Sequence, residues 1–450
     1  MQSGIRLILF TAALLTAALA CRLLPGSAST PEPESDPVAT SVAATLQSQT
    51  DPENEEIISA EPSATLEPES LPLQVVYVLD GDLWFWVEGS EPTALTALGD
   101  VLEVDLSDDG EVAAFTRWVE TGAFDDHRVS LAAVNSDGTG LRTLVTAAEF
   151  ESLTSDPEAL STIIDQLAWV PGTHTLAFST TETREGPYWP KQHDLHLVDV
   201  DSPSLTTLLA PGEAGQFSYH PSGSRIALVQ PTSIHVVDAD GANRQELHTF
   251  PMILTYSEYQ YYPALTWTED GSALRTVIPP RDSLGEPEAG TEIWHLPADG
   301  SPGTLLNSVV TIPFFVDPPA LSLDGSRLAY LAPRTEGPPE AAALHLSDAS
   351  GDQDRLYATG ELTFDGWAPG AEQFLFSKRG DDPRIGRPES APTAVPGVNR
   401  MVDPRWVDRE RFLYLDRLSE SWELWLGTTS GPETLIGSTT GNPISYDFIP

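Results

Sequence analysis

Two neighbouring stretches decide the fold: YHPSGSRIAL at residues 219–228 and IHVVDADG at 234–241. The first reads as an aromatic residue closing one strand, a tight Pro-Ser-Gly turn, and an apolar strand. The second alternates and ends in Asp-Ala-Asp-Gly. In such turns a glycine supplies positive φ and an aspartate carboxylate accepts from nearby N–H groups. Together they predict four short antiparallel strands, two around each turn.

Working outward, the first motif recurs as LSDDGEVAAF (106–115), WVPGTHTLAF (169–178), WTEDGSALRT (267–276), LSLDGSRLAY (321–330), WAPGAEQFLF (367–376) and WVDRERFLYL (406–415). With the copy at 219, the leading residues lie 63, 50, 48, 54, 46 and 39 apart. The second motif recurs as LAAVNSDG (131–138), LHLVDVDS (195–202), IWHLPADG (293–300), LHLSDASG (344–351) and LWLGTTSG (424–431). A four-stranded sheet with two apolar faces cannot cover itself, and radial packing of such sheets buries both faces. The expectation is an all-β chain forming a single β-propeller of four-stranded blades. VVYVLDGDLWFWV (75–87) supplies only the later strands of a blade, and PISYDFIP (443–450) can supply the missing inner strand. That closure favours eight blades. Seven blades with an irregular sector is the alternative, because RIGRPESAPTAV (384–395) is a degenerate second motif.

These motifs resemble the TolB-type, WD-like propeller repeats of bacterial envelope proteins, over residues 73–450. The resemblance implies a scaffold role in an envelope assembly and names neither an activity nor a partner.

The N-terminus gives an address. IRLILFTAALLTAALA (5–20) carries Arg6 and then an apolar run too short to span a bilayer comfortably. It ends directly before Cys21, the sole cysteine. The pattern resembles a bacterial lipoprotein signal, with Ala18 where the family usually has leucine and Leu19 one step late. The alternative is an ordinary secretory signal cut after Ala20. Residues 22–70 hold ten acidic residues, one basic residue and no aromatic residue. Such a segment cannot bury enough surface to offset its ordering entropy. A disordered tether is expected, with an r.m.s. span of about 35–40 Å for a flexible chain of this length. The organisation read from sequence is therefore a signal peptide (1–20), a lipidated Cys21 with an acidic linker (21–70), and a propeller (71–450), lipid-anchored outside the cytoplasm of a bacterium.

The 450 residues carry 67 Asp plus Glu against 23 Lys plus Arg, a net charge of −44. That argues against a protein built to bind bare nucleic acid, which needs a basic face to displace counterions. One cysteine excludes an internal disulfide and any Cys-based metal centre. Low lysine and high acidity also fit life in salt or acid. The Asp-Gly turns read as turn chemistry and not as calcium loops, since no EF-hand ligand spacing accompanies them.

In a propeller the short turns share one face, and the longer connections share the other. Long connections are expected at 117–129, 147–165, 180–194, 249–263, 279–292 and 308–319, with a short helix over 155–167 capped by Asp156 and opened by Pro157. The richest is TYSEYQYYPALTW (255–267), which offers Tyr256, Glu258, Tyr259, Tyr261 and Tyr262 to a sugar or peptide. The plainer reading packs some of these rings between blades. Arginines recur just after the second strand of a blade: Arg117, Arg184, Arg281, Arg334, Arg379 and Arg417. They are candidates for an anionic partner, or they bridge to Asp125, Asp126, Glu185, Asp282, Asp381 and Asp382. His196, His235 and His345 share one strand slot with Trp84, Trp294 and Trp425, which reads as structural. His127 and His193 lie in long loops without a zinc-binding spacing.

No nucleophile elbow, P-loop or dinucleotide fingerprint occurs. No cofactor or metal is implied. The reading is a monomeric, non-catalytic binding or scaffold protein for an envelope protein, peptide or glycan. The alternative is a propeller hydrolase or lyase acting on carbohydrates or lactones through a central funnel. A solute-capture protein serving a transporter is a third reading.

Overall fold

The computed structural model describes residues 72–119, 128–186, 188–334, 341–379, 381–418 and 420–450. The expected signal peptide, Cys21 and the expected tether, and the loop residues Asp125, Asp126 and His127, lie outside the described residues.

Eight four-stranded antiparallel sheets form the blades of a β-propeller. In blade 4 the strands are Gln216–Tyr219, Arg225–Gln230, Ser233–Asp238 and Gln245–Thr249, designated a to d from the axis outward. The a–b turn closes with Gly223 N–H donating to the His220 carbonyl at 2.8 Å, and Gly223 has φ +70°. The c–d turn closes the same way, from Gly241 to Asp238 at 2.9 Å. Across the blades one aspartate carboxylate accepts from the N–H two residues on: Asp109 from Glu111, Asp137 from Thr139, Asp270 from Ser272, Asp324 from Ser326. Four hydrogen bonds, from the Ser272 N–H and the Thr268 and Ser272 hydroxyls, hold exposed Asp270 down at about 2. The Asp-Gly motifs are thus turn chemistry.

The seven leading residues of the first motif end strand a. Three of the tryptophans donate their indole N–H to strand a of the preceding blade: Trp267 to Ser218 O (3.4 Å), Trp367 to Ala320 O (3.1 Å) and Trp406 to Gly366 O (3.2 Å). The apolar core is divided into eight clusters, one per seam between adjacent blades. At the blade 2–3 seam, for example, Ala114, Leu131 and Ala133 meet Trp169, Leu176 and Phe178.

The ring closes as PISYDFIP suggested. Tyr446–Ile449 is strand a of blade 1 and pairs with Gln74–Leu79, placing Tyr446 opposite Tyr77 and Ile449 opposite Gln74. RIGRPESAPTAV still forms strands c and d of blade 7, Asp381–Arg387 and Ser390–Ala394.

One expectation fails. Residues 155–167 are not a helix. Ser161–Trp169 is strand a of blade 3, paired along Thr175–Thr183. Its Thr162, Ile163 and Ile164 are β-branched and suit a pleated surface better than a helix. Asp156 accepts from the Glu158 N–H, but within a turn pinned by the Glu182 carboxylate, which takes the N–H groups of Ser155 and Asp156. The helix lies earlier, at Ala147–Ser152, where Thr146 and Glu149 form a capping box.

Asp447 of the closing strand, in blade 1, reaches two other blades. Its carboxylate accepts from Leu106 N–H of blade 2 (2.9 Å) and from the Arg405 guanidinium of blade 8 (2.8 Å), and it is hydrogen-bonded to the Asp105 carboxyl. Burial, then the charge of Asp447, push Asp105 up to about 8; Arg405 opposes this and Asp108 adds to it. The folded chain therefore keeps a proton that the unfolded chain releases near pH 4, so this site's contribution is greatest in acid and falls between about pH 4 and 8. Urea unfolding across pH 5–8 should show a shallower pH slope for Asp105→Asn than for the parent. Equal slopes would remove Asp105 from the account.

Candidate binding face

The b–c and d–a connections share one face of the ring. Its most developed part lies over blades 4 to 6, in residues 250–264, 279–290 and 310–319. Tyr256 ties these loops together. Its hydroxyl donates to the Asp282 carboxylate and accepts from Leu284 N–H at 3.1 Å, and its ring meets Phe315 edge-on at 6.0 Å. Leu254 N–H adds a bond to the Arg281 carbonyl at 2.9 Å. Around this tie Met252, Tyr256, Tyr259, Leu284, Phe315 and Val316 are 48–65% exposed. A connected set of large apolar side chains this open commonly marks an interaction surface.

The tyrosine loop divides in two. Tyr256, Glu258 and Tyr259 face solvent. Tyr261 turns inward, packing on Phe314 at 4.5 Å, and burial raises its pKa. Tyr262 is half-buried. Its hydroxyl meets His193 Nε2 at 2.7 Å and Gln260 Oε1 at 2.8 Å, and Lys191 Nζ sits 4.9 Å from its ring. Lys191 is held by Asp165 at 2.9 Å. Burial, then the Lys191 charge, lower the His193 pKa.

The recurring arginines do not converge. Of the expected loop partners, Asp282 is held down by the Tyr256 hydroxyl and in part by the charge of Arg281, Asp125 and Asp126 lie outside the described residues, and the other pairings differ. Arg117 makes a two-pronged bond to Asp100 at 2.8 and 2.9 Å. Arg184 binds Asp156 and Glu182. Arg379 lies 4.0 Å from Glu361, and Arg417 stacks over Trp422 at 5.2 Å. Arg281 and Arg334 are exposed. Asp381 and Asp382 instead pair with Arg400 and Arg384.

The His/Trp slot is structural. In six blades the c–d register slips at that slot: at 131/132, 195/196, 234/235, 293/294, 344/345 and 424/425. In four, the ring's N–H side meets a polar group two residues earlier: His196 with Asp194, His235 with Ser233, Trp294 with Glu292 and Trp425 with Glu423, all at 2.8–2.9 Å. Burial pushes the Asp194 carboxyl up, but hydrogen bonds from His196 and Thr180 outweigh that and hold it below the ordinary carboxylate range.

Among the described residues Asp109, Glu111 and His174 bring donor atoms within 4.8 Å of one another. Both His174 nitrogens are already engaged, by Asp109 at 2.9 Å and Asp201 at 3.0 Å, so the group works as a clasp between the turns of blades 2 and 3. Phe315 and Val316 were not singled out from sequence. The signal was present in TIPFFVDPP (311–319), an apolar run inside a long loop.

No family model matches the chain, and no curated protein does. Solved structures match at the level of fold. A Porphyromonas gingivalis dipeptidyl peptidase 4 shares 8% identity with a TM-score of 0.53, over 80% of this chain and 57% of that one. A eukaryotic initiation factor shares 11% identity, TM-score 0.49, over 84% and 98%. TolB from Acinetobacter baumannii shares 14% identity, TM-score 0.31, over 64% and 65%. The likeness is that of a β-propeller and extends no further. No helix among the described residues is long and apolar enough to cross a membrane.

The two classes of residue should separate in a stability assay. His196→Ala removes one hydrogen bond from the buried Asp194 carboxylate, leaves those from Thr180, and opens a cavity in the slot, and should cost about 2 kcal/mol in urea unfolding. Tyr259→Ala removes an exposed ring and should stay within about 0.5 kcal/mol. A large loss at Tyr259 would make that loop structural.

Proposed function

We propose that this protein is a non-catalytic propeller, lipid-anchored through Cys21 outside the cytoplasm, that binds a protein, peptide or glycan partner in the cell envelope. The observation that carries the reading is the open aromatic and aliphatic patch around Tyr256, on loops braced by Asp282 and Phe315. Rigid tyrosines give contact area and a polar tip at little entropic cost. The remaining candidates, Glu258, Arg281, Arg334, Arg379 and Arg417, belong to the same loop face and would form its polar rim. The chain enters blade 1 at Leu73, beside the c–d turn where Glu88 N–H bonds to the Leu73 carbonyl, which is the short-turn face.

Two measurements test this. Labelling with an alkyne fatty acid should mark the parent and leave Cys21→Ser unmarked; an unmarked parent would leave an ordinary secretory signal. Crosslinked capture from envelope extract should lose its main partner by about tenfold or more in Tyr259→Ala/Val316→Glu, as expected for a central hot spot. Undiminished capture by a folded variant would move the interface elsewhere.

One observation favours the catalytic alternative. Acidic side chains of the inner ring hold protons near neutrality: Asp105, Asp317 and Asp365. Burial, then Asp365, push Asp317 up to about 7 against the Phe364 N–H; burial pushes Asp365 up to about 6. Asp105 also lines a cavity of about 370 Å³ with Asp108, Trp169 and Asp447. Turnover of an acidic oligosaccharide or a lactone that disappears in Asp105→Asn would support a hydrolase or lyase.

A further inference from the structure

The geometry points to an oxyanion site on the short-turn face, between blades 6, 7 and 8, built by Arg327, Arg387 and Arg409 for a small phosphate or sulfate ester. The three line one cavity of about 620 Å³, a size ordinary for a small-molecule site.

The argument starts from charge. With 67 acidic side chains and 23 basic ones, a guanidinium in this chain has many carboxylates to pair with, and those without one, such as Arg281 and Arg334, are otherwise single exposed side chains. Most described arginines have a carboxylate or a backbone carbonyl as partner, as at Arg117, Arg128, Arg355, Arg405 and Arg411. Among the described residues Arg327, Arg387 and Arg409 have no ion-pair partner, although three glutamates line the same cavity.

Two of the nearby acids are engaged elsewhere. Asp348 lies opposite Arg327 in the b–c pairing, but its carboxylate accepts from Ser350 and Asp352 N–H within its own turn. Glu389 is taken by Arg355 at 3.1 Å. Glu372 and Glu410 stand exposed at the rim.

The backbone that carries two of these arginines is fixed. The Gln373 amide donates to the Arg409 carbonyl, fixing that turn, and leaves its own buried Oε1 without a partner among the described residues, an acceptor for a ligand hydroxyl. The Arg409 guanidinium sits beside Gly370, where an added Cβ would come within 3.2 Å of it. Arg387 N–H is held by the Tyr357 hydroxyl at 3.1 Å. Three planar forks from three blades suit the several oxygens of a tetrahedral oxyanion.

The test uses the full chain, with inorganic phosphate, sulfate and citrate as probes against chloride at matched ionic strength, read by calorimetry and thermal shift. Saturable binding of phosphate or sulfate is expected. It should weaken by about tenfold or more in Arg387→Gln/Arg409→Gln, as for loss of hydrogen bonds to a charged group. Arg387→Lys, which keeps charge but loses the fork, should fall between. Affinity for phosphate that rises as it gains its second charge assigns a phosphate ester; indifference with equal sulfate binding assigns a sulfate ester. Binding of citrate alone, no response beyond chloride, or unchanged affinity in folded Arg387→Gln/Arg409→Gln would each overturn the site.

Discussion

A four-stranded sheet with two apolar faces has no stable place in water by itself. Each blade here exists because a neighbour covers each side, and the core is accordingly eight seams around an axis. That dependence makes ring closure the decisive event. Blade 1 takes its inner strand from the last residues of the chain, and the pairing is reinforced across the joint by the Tyr77 hydroxyl on Ile436 O and by Asp447 reaching blades 8 and 2. Buried charge is tolerated at the joint because Arg405 faces the two carboxyls and one of them keeps its proton.

The same architecture divides the surface. On one face seven blades make both an a–b and a c–d turn, and Asp, Ser and Gly recur in these turns. On the other face connection lengths are free, and the blade 4–6 loops have used that freedom for apolar side chains that no seam requires. The slot shared by histidine and tryptophan belongs to neither face. It is a polar keystone inside the blade, where the register slip between strands c and d makes room for a flat ring.

Blade number was legible because each blade repeats its two turn motifs, and turns are local. The inner strand of blade 1 was legible for a different reason: a leftover half-blade at one end and a leftover strand at the other. The helix was misplaced because Asp156-Pro157 imitates a helix start, whereas the true capping box at Thr146–Glu149 sits in the preceding residues. The candidate surface was half legible. A cluster of tyrosines is visible in one line of sequence, but that Tyr261 and Tyr262 turn inward depends on Phe314 and His193, from other connections. The meeting of Arg327, Arg387 and Arg409 has no local signature, since each occupies an ordinary position in its own blade.

Closing blade 1 with the C-terminal strand sets the order of events during synthesis. Strands b to d of that blade are made first, and Gln74–Leu79 must wait with an open edge until Tyr446 is made, a separation of 369 residues from Tyr77. Seams 1–2 through 7–8 can assemble in sequence as the chain emerges, whereas the 8–1 seam cannot. The nascent protein is therefore an open arc for nearly all of its elongation, with an apolar edge strand at its leading end that a neighbouring chain or a chaperone could pair.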